Sequence, residues 1–424
     1  MPLKTEYKLP QGHELRIEVK EDKELLVTAK QGQAEVFGTE LSLGEQLTLR
    51  GQKLAVFTWH GVVLELTADA ECLEDVTDVV YEADETPMVE YLNASNVVEQ
   101  RRRAAREAGG QGPRTIVVGP TDVGKSSLCK LLLNYAVRYG FAPTAVDLDI
   151  GQGGIAAPGS IAATPVEAPV DVEEGLPVEV PLVYFYSHVS PADNPELYKF
   201  LVERLAALLD RRAEANAEVR AAGMVINTMG WVDGLGYELL LHSIAALRAD
   251  VVLVVGQDRL YSQLSSELRA RKDVSLVRLP KSGGVVMRPP PLRKLARAAR
   301  VKEYFYGAHG ELSPHSRTLG FSELRVYRVG GGPRAPTSAL PIGAEPVADP
   351  LRVAPVTSPG ELLHSLLAVS HAPAPEFLLS VNVAGFIYVS DVDVTRNTVT
   401  FLSPSPGPLP GKFLLAGSVK LFME

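Results

Sequence analysis

The run Gly119-Pro-Thr-Asp-Val-Gly124-Lys125-Ser126 fits the spacing G-x-x-x-x-G-K-[ST]. Those residue types at that spacing suit a polyphosphate. Glycines let successive backbone N–H groups point at phosphate oxygens, a lysine spans the β- and γ-phosphates, and a serine hydroxyl coordinates Mg²⁺. An apolar strand pattern, "TIVVG", precedes the run, and a helical one, "SSLCKLLLNYAVR", overlaps its end. Strand, loop and helix in that order are the context this chemistry requires, so binding of ATP or GTP is expected.

A second stretch, "VDLDIGQGG", ends another apolar run with Asp147 and Asp149. Period-2 alternation puts both carboxylates on one side of the strand end, where sheets of this class bind ligands. One carboxylate can help position the Mg²⁺ shell and the other can accept a proton from an attacking hydroxyl; a capped helix start is the plainer alternative. The segment "INTMGW" delivers Thr228 and Trp231 to the same edge. An indole there is either core or a platform on which a nucleobase stacks, worth roughly 1–3 kcal/mol.

The stretch "VVMRPPPLRKLARAAR", Val285 to Arg300, places Arg293, Arg297 and Arg300 at helical i, i+4, i+7 spacing after three prolines. Two readings stay open on residue physics. Leu292, Leu295, Ala296 and Ala299 could pack while the arginines face water. Alternatively the segment is a lid whose arginines reach a transferring phosphoryl group, a contact worth about 10³–10⁵ in rate.

These residues need a scaffold, and the chain supplies one. It has 424 residues, 46% of them hydrophobic, enough for two or three domains with their own cores. The net charge of −9 argues against coating nucleic acid by bulk charge but leaves room for a local basic groove. Cys72 and Cys129 have no spacing for a zinc site or a disulfide framework, which suits a reducing compartment. Residues 1–20 lack an apolar signal region, no stretch reaches the roughly 18 apolar residues of a membrane span, and no membrane contact is expected.

Short alternating runs ("ELRIEV", "AEVFGTEL", "KLAVFTWHG") predict an N-terminal β-sandwich-like domain over 1–95. "EQRRRAAREAGGQGP" reads as a linker helix with a solvated basic face. From 96 to 309, apolar strands alternate with helical patterns, which predicts an α/β domain on a parallel sheet. Beyond 310 a smaller, mostly β domain is expected, with a Pro/Gly-rich stretch around 331–359 and a helix at "GELLHSLLAVS".

Taken together, "ELRIEV", "KLAVFTWHG", "GPTDVGKSS", "VDLDIGQG", "INTMGW", "LPKSGGVV" and "PLPGKFLL" resemble the RNA 5′-hydroxyl kinase family over nearly the whole chain. Members of that family serve in the pre-mRNA cleavage and polyadenylation machinery and, in metazoa, in the tRNA-splicing endonuclease complex. The resemblance implies a nuclear P-loop kinase that uses ATP and Mg²⁺, acts on RNA with a 5′-hydroxyl end, and has subunits of those two complexes as partners. It assigns Glu14 and Lys53 to the nucleotide from outside the kinase core, and Gly119 with Asp122, Val123, Gly124, Lys125, Ser126 and Ser127 to the phosphates, Ser126 also holding the metal. Asp149 matches the general base, and Asp147 receives no role. Thr228, Trp231 and Gln152 fall to the RNA, with the indole stacking on the terminal base. Arg288, Arg293 and Arg297 match the lid, Arg293 or Arg297 acting in the transition state, beside Lys125.

Departures from the family pattern are local. Ser126-Ser127 stands where Ser-Thr is usual. In the lid, Leu295, Ala298 and Ala299 replace acidic residues, which implies altered stiffness and local field. No acidic residue follows Gly256 directly. Some members bind ATP without kinase chemistry and brace a processing complex, so a scaffold is the competing reading. Coexistence of base, clasp and lid favours the enzyme.

Overall fold

Period-2 alternation in the first ninety residues closes into two antiparallel sheets packed face to face. In the computed structural model, which describes residues 2–176, 180–330 and 349–422, one sheet pairs Leu3–Leu9, Val62–Ala68, Glu24–Gly32 and Gln46–Arg50 in that order. The other runs from Thr39–Glu40 through Glu35–Val36, Lys53–Phe57 and Glu14–Val19 to Thr77–Ala83. Leu15 and Ile17 from the second sheet share one buried cluster with Leu25, Leu49, Leu64 and Leu66 from the first. Alternate residues fill the gap between the sheets, as a sandwich requires.

The helix Met88–Ala108 leaves the sandwich and ends at Gly109 in the left-handed conformation, φ 62°. Its basic run is only in part the solvated face expected from sequence: Arg103 and Arg106 are exposed, but the others are not. Arg102 is 1% exposed and donates from Nε to the Ala222 carbonyl at 2.9 Å. Arg101 pairs with Asp250 at 2.6 Å, and the Arg106 guanidinium lies 3.7 Å from the Phe141 ring centre. The helix is therefore a packed strut between domains, because long arginine stems bury apolar area while their heads find partners.

The central sheet has seven strands in the order Leu182–Phe185, Ser160–Pro165, Thr144–Asp147, Met224–Asn227, Arg114–Val118, Val251–Val255, Ser275–Leu279. It is mixed, not parallel throughout: Ser160–Pro165 runs against both neighbours. Residues 148–159 contain no helix, and a parallel return generally needs a crossover of a dozen or more residues, usually helical. The small residues of "SIAATP" gave no strand signal in sequence. Between Thr144–Asp147 and Ser275–Leu279 the strands are parallel, so the loops after residues 118, 147 and 227 leave three adjacent strands at one edge.

The C-terminal domain orders its strands as His315–Gly320, Thr398–Ser403, Val383–Asp393, Ser365–Ser370, Phe413–Lys420, Arg325–Val329 and Val353–Pro355. The helix expected at "GELLHSLLAVS" is a 3₁₀ turn, Pro359–Leu362, followed by the strand Ser365–Ser370. That strand is buried at every position, and an unbroken apolar run does not separate helix from strand by periodicity. Within "FSELRVYRV" only Arg325–Val329 is strand. Of the Pro/Gly-rich stretch, residues 331–348 lie outside the described residues. No described helix is long and apolar enough to cross a membrane.

The strut carries a buried ion pair, Arg102 with Glu99, at 3.6 Å. Burial depresses the Arg102 guanidinium to about 10 despite Glu99, and it pushes the Glu99 carboxyl up. Arg102→Ala leaves the buried Glu99 carboxylate with Arg103 alone, at 3.2 Å, frees the Ala222 carbonyl, and should lower stability by roughly 3–5 kcal/mol. Pairing Arg102→Met with Glu99→Gln should recover most of the loss in thermal unfolding.

Candidate active site

Strand Arg114–Val118 feeds the loop 119–124 and then the helix Lys125–Arg138. A side chain at Gly119 would put its Cβ 2.6 Å from the Val255 carbonyl oxygen, so the loop can lie against the neighbouring strand only with glycine there. The helix N-terminus has no side-chain cap, and its first returning bond is Leu128 N–H to the Gly124 carbonyl at 3.0 Å. N–H groups of residues 125–127 thus face the loop with the helix dipole behind them. Lys125 folds back, donating to the Pro120 carbonyl at 2.8 Å. Burial lowers its pKa, and Asp149 opposes that. Ser126 is exposed at the helix start, and Thr121 lies earlier in the loop, its Oγ1 3.4 Å from the Gly230 carbonyl.

The two carboxylates reach the same edge although the strand ends at Asp147 and Asp149 lies in the turn beyond it. Both oxygens of Asp147 are engaged. Its Oδ1 accepts from Asp149 N–H at 3.0 Å and Asn227 Nδ2 at 3.1 Å, and Oδ2 accepts from Gly154 N–H at 2.7 Å. Asp149 Oδ1 accepts from the N–H groups of Gly151 and Gln152, both at 3.0 Å. Its Oδ2 has no hydrogen bond among the described residues, and so it is the oxygen open to a ligand. Burial pushes Asp147 up to about 6, helped by the Asp149 charge. Burial also raises Asp149, against the pull of Lys125.

Mg²⁺ takes oxygen ligands, keeps waters and is held through one or two carboxylates plus phosphates. The exposed Ser126 hydroxyl and the half-engaged Asp149 fit that donor set. No cluster of three or more His, Cys, Asp or Glu that could hold a metal occurs among the described residues.

Thr228 is 2% exposed and donates from Oγ1 to the Val117 carbonyl at 2.8 Å, so its hydroxyl braces the sheet. Trp231 is 37% exposed and lies over Gly236, where an added Cβ would meet the indole at 2.5 Å. The indole is thus a propped ring at the site's rim. Gln152 donates from Nε2 to the Arg293 carbonyl at 3.2 Å, tying the carboxylate turn to the lid.

The lid is a helix, Pro290–Tyr306, entered through prolines. Its arginines turn inward and its leucines outward, the reverse of the amphipathic reading. Leu292 and Leu295 are 40% and 50% exposed, whereas Arg293, Arg297 and Arg300 are only partly exposed. Arg293 pairs with Asp122 at 2.9 Å, Arg288 reaches the same carboxylate at 3.4 Å, and Arg300 donates to the Gly154 carbonyl at 2.7 Å. Val301 and Phe305 are buried, and the Tyr304 hydroxyl accepts from Phe386 N–H of the C-terminal domain at 3.0 Å.

Between the N-terminal sandwich and the segment leading into the lid lies a cleft of about 230 Å³, lined by Arg16, Lys53, Tyr81, Gly284 and Val285, among others. Glu14 sits beneath it with both oxygens engaged, by Arg16 Nε at 2.6 Å and Thr86 Oγ1 at 2.9 Å. Lys53 lines the cleft and pairs with Glu18 at 2.6 Å. Arg16 escaped the sequence reading. Its signal was the glycine pair of "LPKSGGVV": any Cβ at Gly283 or Gly284 would come within 2.9 Å of the Arg16 side chain. Val285 joins the cleft to the phosphate loop, since a Cβ on Gly124 would lie 3.2 Å from it.

A strand–loop–helix cradle on an α/β sheet, with an arginine lid above it, defines a P-loop protein. The chain belongs to the Clp1 family. Residues 119–307 match the family described as "mRNA cleavage and polyadenylation factor CLP1 P-loop", residues 312–424 "Pre-mRNA cleavage complex II protein Clp1", and residues 8–105 "N-terminal beta-sandwich domain of polyadenylation factor". A "Protein CLP1 homolog" of Arabidopsis thaliana is 51% identical over 97% of this chain and 93% of its own length. The Mus musculus "Polyribonucleotide 5'-hydroxyl-kinase Clp1" is 44% identical over 99% and 97%. A solved complex of wild-type Clp1p with Pcf11p shares the fold at a TM-score of 0.82, covering 99% of this chain and 98% of the other at 22% identity.

The Asp147 carboxyl generates a pH dependence. Its pKa is raised on folding from 3.8 to about 6, so between those values the folded state binds more protons and stability falls as pH rises. Asp147→Asn escapes that penalty while losing an acceptor for Gly154 N–H. Its stability relative to the unmutated protein should therefore improve by about 1–3 kcal/mol between pH 4 and pH 7. Denaturant unfolding of both proteins at the two pH values measures the difference; a pH-independent difference contradicts the assignment.

Proposed function

We propose that this chain is a polynucleotide kinase that moves the γ-phosphate of ATP to the 5′-hydroxyl of RNA. Mg²⁺-bound ATP supplies the phosphoryl group and part of the charge neutralisation. The observation that carries the reading is Asp149 Oδ2, the one oxygen of the Asp147–Asp149 pair without a hydrogen bond among the described residues, at the same sheet edge as the phosphate loop and under the arginine lid. Asp149 takes the proton of the attacking hydroxyl as the new O–P bond forms and the bond to the β-phosphate oxygen breaks. Lys125 leaves the Pro120 carbonyl for phosphate oxygens, the N–H groups of 125–127 hold the same oxygens, and Ser126 holds the metal. Arg288, Arg293 and Arg297 face charge that develops on the transferring group. The cleft at Arg16 and Lys53 receives the base and ribose of the nucleotide. Trp231 stacks on the terminal base of the RNA, with Gln152 beside the carboxylate turn; Thr228 supports this edge from within.

Three of the relatives' names support the substrate class: the rat, mouse and bovine proteins are each named polyribonucleotide 5′-hydroxyl-kinase Clp1. Family descriptions naming mRNA cleavage and polyadenylation, and solved structures titled for Clp1p with Pcf11p, support a role in mRNA 3′-end processing beside a Pcf11-like subunit. Action in tRNA splicing beside an endonuclease complex, and residence in the nucleus, belong to the same proposal.

A 5′-hydroxyl RNA oligonucleotide and γ-labelled ATP test it. Label should pass to the RNA, and Asp149→Asn and Lys125→Ala should each lower kcat by about 10²-fold or more. Bound ATP with no label transfer in the unmutated protein would leave a non-catalytic, ATP-bound scaffold of the cleavage complex instead.

A further inference from the structure

The phosphate loop contains a feature that phosphate binding does not call for. Asp122 is a carboxylate inside a cradle built for anions, and by charge alone it opposes the ligand. Its side chain is only 5% exposed, and its backbone holds φ at 55°, a region that aspartate tolerates better than most residues. Both oxygens are spent on the lid. Oδ2 accepts from the Arg288 backbone N–H and from Arg293 Nη2, each at 2.9 Å, and Oδ1 accepts from Arg288 Nε at 3.4 Å. These contacts join positions 166 and 171 residues apart in the chain.

What the carboxylate leaves unused is as informative. Arg293 Nε is buried with no hydrogen-bond partner, and Arg297, partly exposed, makes no hydrogen bond or ion pair among the described residues. A buried guanidinium donor without a partner is costly unless a ligand completes it. Arg293 Nη2 is thus tied down while Nε is left without a partner.

We propose that Asp122 is a positioning residue for the lid: it fixes Arg288 and Arg293 across the phosphate loop and so aims Arg293 Nε and the uncommitted Arg297 at the anion that enters. The rest of the lid does not depend on it. Buried Val301 and Phe305, the Arg300 contact to Gly154 and the Tyr304 contact to Phe386 hold the C-terminal half of the helix. Burial by itself would raise the Asp122 pKa, yet the Arg288 N–H and the Arg293 guanidinium bring it below the usual carboxylate value, as a committed ion pair requires. The latch is a geometric statement about the free protein; only its catalytic consequence rests on the kinase reading.

Asp122→Gly keeps the positive φ without strain and removes the carboxylate, and Asp122→Asn keeps its shape without the charge. Hydrogen exchange on the full chain without nucleotide reads the latch directly. Amides in 286–296 should exchange at least about tenfold faster in Asp122→Gly, while 298–306 stay protected. ATP affinity, measured by titration, should hold or tighten, because a negative charge has left the cradle. Unchanged exchange in 286–296 overturns the proposal, and so does a tenfold loss of ATP affinity, which would make Asp122 a support of the loop alone.

In the phosphotransfer assay, Asp122→Gly and Asp122→Asn should lower kcat by about tenfold without raising KM for ATP, and each should cost clearly less in Arg293→Ala, where only the Arg288 contacts remain to be lost. Additive losses in that double variant also overturn it. Should the unmutated chain transfer no phosphate, the exchange data still decide the latch, so the two readings fail separately.

Discussion

Two carboxylates two residues apart, both withdrawn from water at one end of a sheet, set the terms for everything around them. Like charges in that position repel, and desolvation penalises each. The fold answers by surrounding Asp147 with three donors, placing Lys125 within electrostatic reach of Asp149, and bringing a lid with four arginines over both. Each answer also narrows what the carboxylates can do. Both oxygens of Asp147 are engaged, whereas one oxygen of Asp149 is left unclaimed by the backbone.

Much of this was legible because glycine, lysine and aspartate at fixed spacings have few alternative uses. The phosphate loop lies where "GPTDVGKSS" put it, between a buried strand and a helix, and the sandwich follows the period-2 alternation of "ELRIEV" and "KLAVFTWHG". What escaped depends on partners distant in sequence. Arg16 reads as an ordinary outward residue of a strand until Gly283 and Gly284 are brought against it. Thr228, which the resemblance assigns to the RNA, is also held by a partner that sequence does not show, the Val117 carbonyl. The buried strand Ser365–Ser370 and the small-residue strand Ser160–Pro165 carry no periodic signal at all.

The lid helix is the sharpest case. Its hydrophobic and charged stripes are correctly spaced, yet spacing alone does not say which stripe faces the protein. Asp122, Gly154 and the charge of Asp149 form an acidic and carbonyl-rich floor, and on such a floor guanidinium groups are the stripe that packs. Leu292 and Leu295 are left in water as a consequence, a reversal of the usual ordering that a sequence rule based on water and oil does not anticipate.

The reversed strand Ser160–Pro165 has a further consequence. Because it returns antiparallel, residues 148–159 need not form a helix across the sheet face and instead wrap the strand ends. That short span carries Asp149, the Gln152 amide and the Gly154 carbonyl on which Arg300 rests. The proton acceptor and the lid's footing are therefore successive stops on one tethered ribbon, pinned at both ends by neighbouring strands. Covalent length caps their separation, so the lid's footing and the proton acceptor are kept near each other by the chain itself and not by packing through the core.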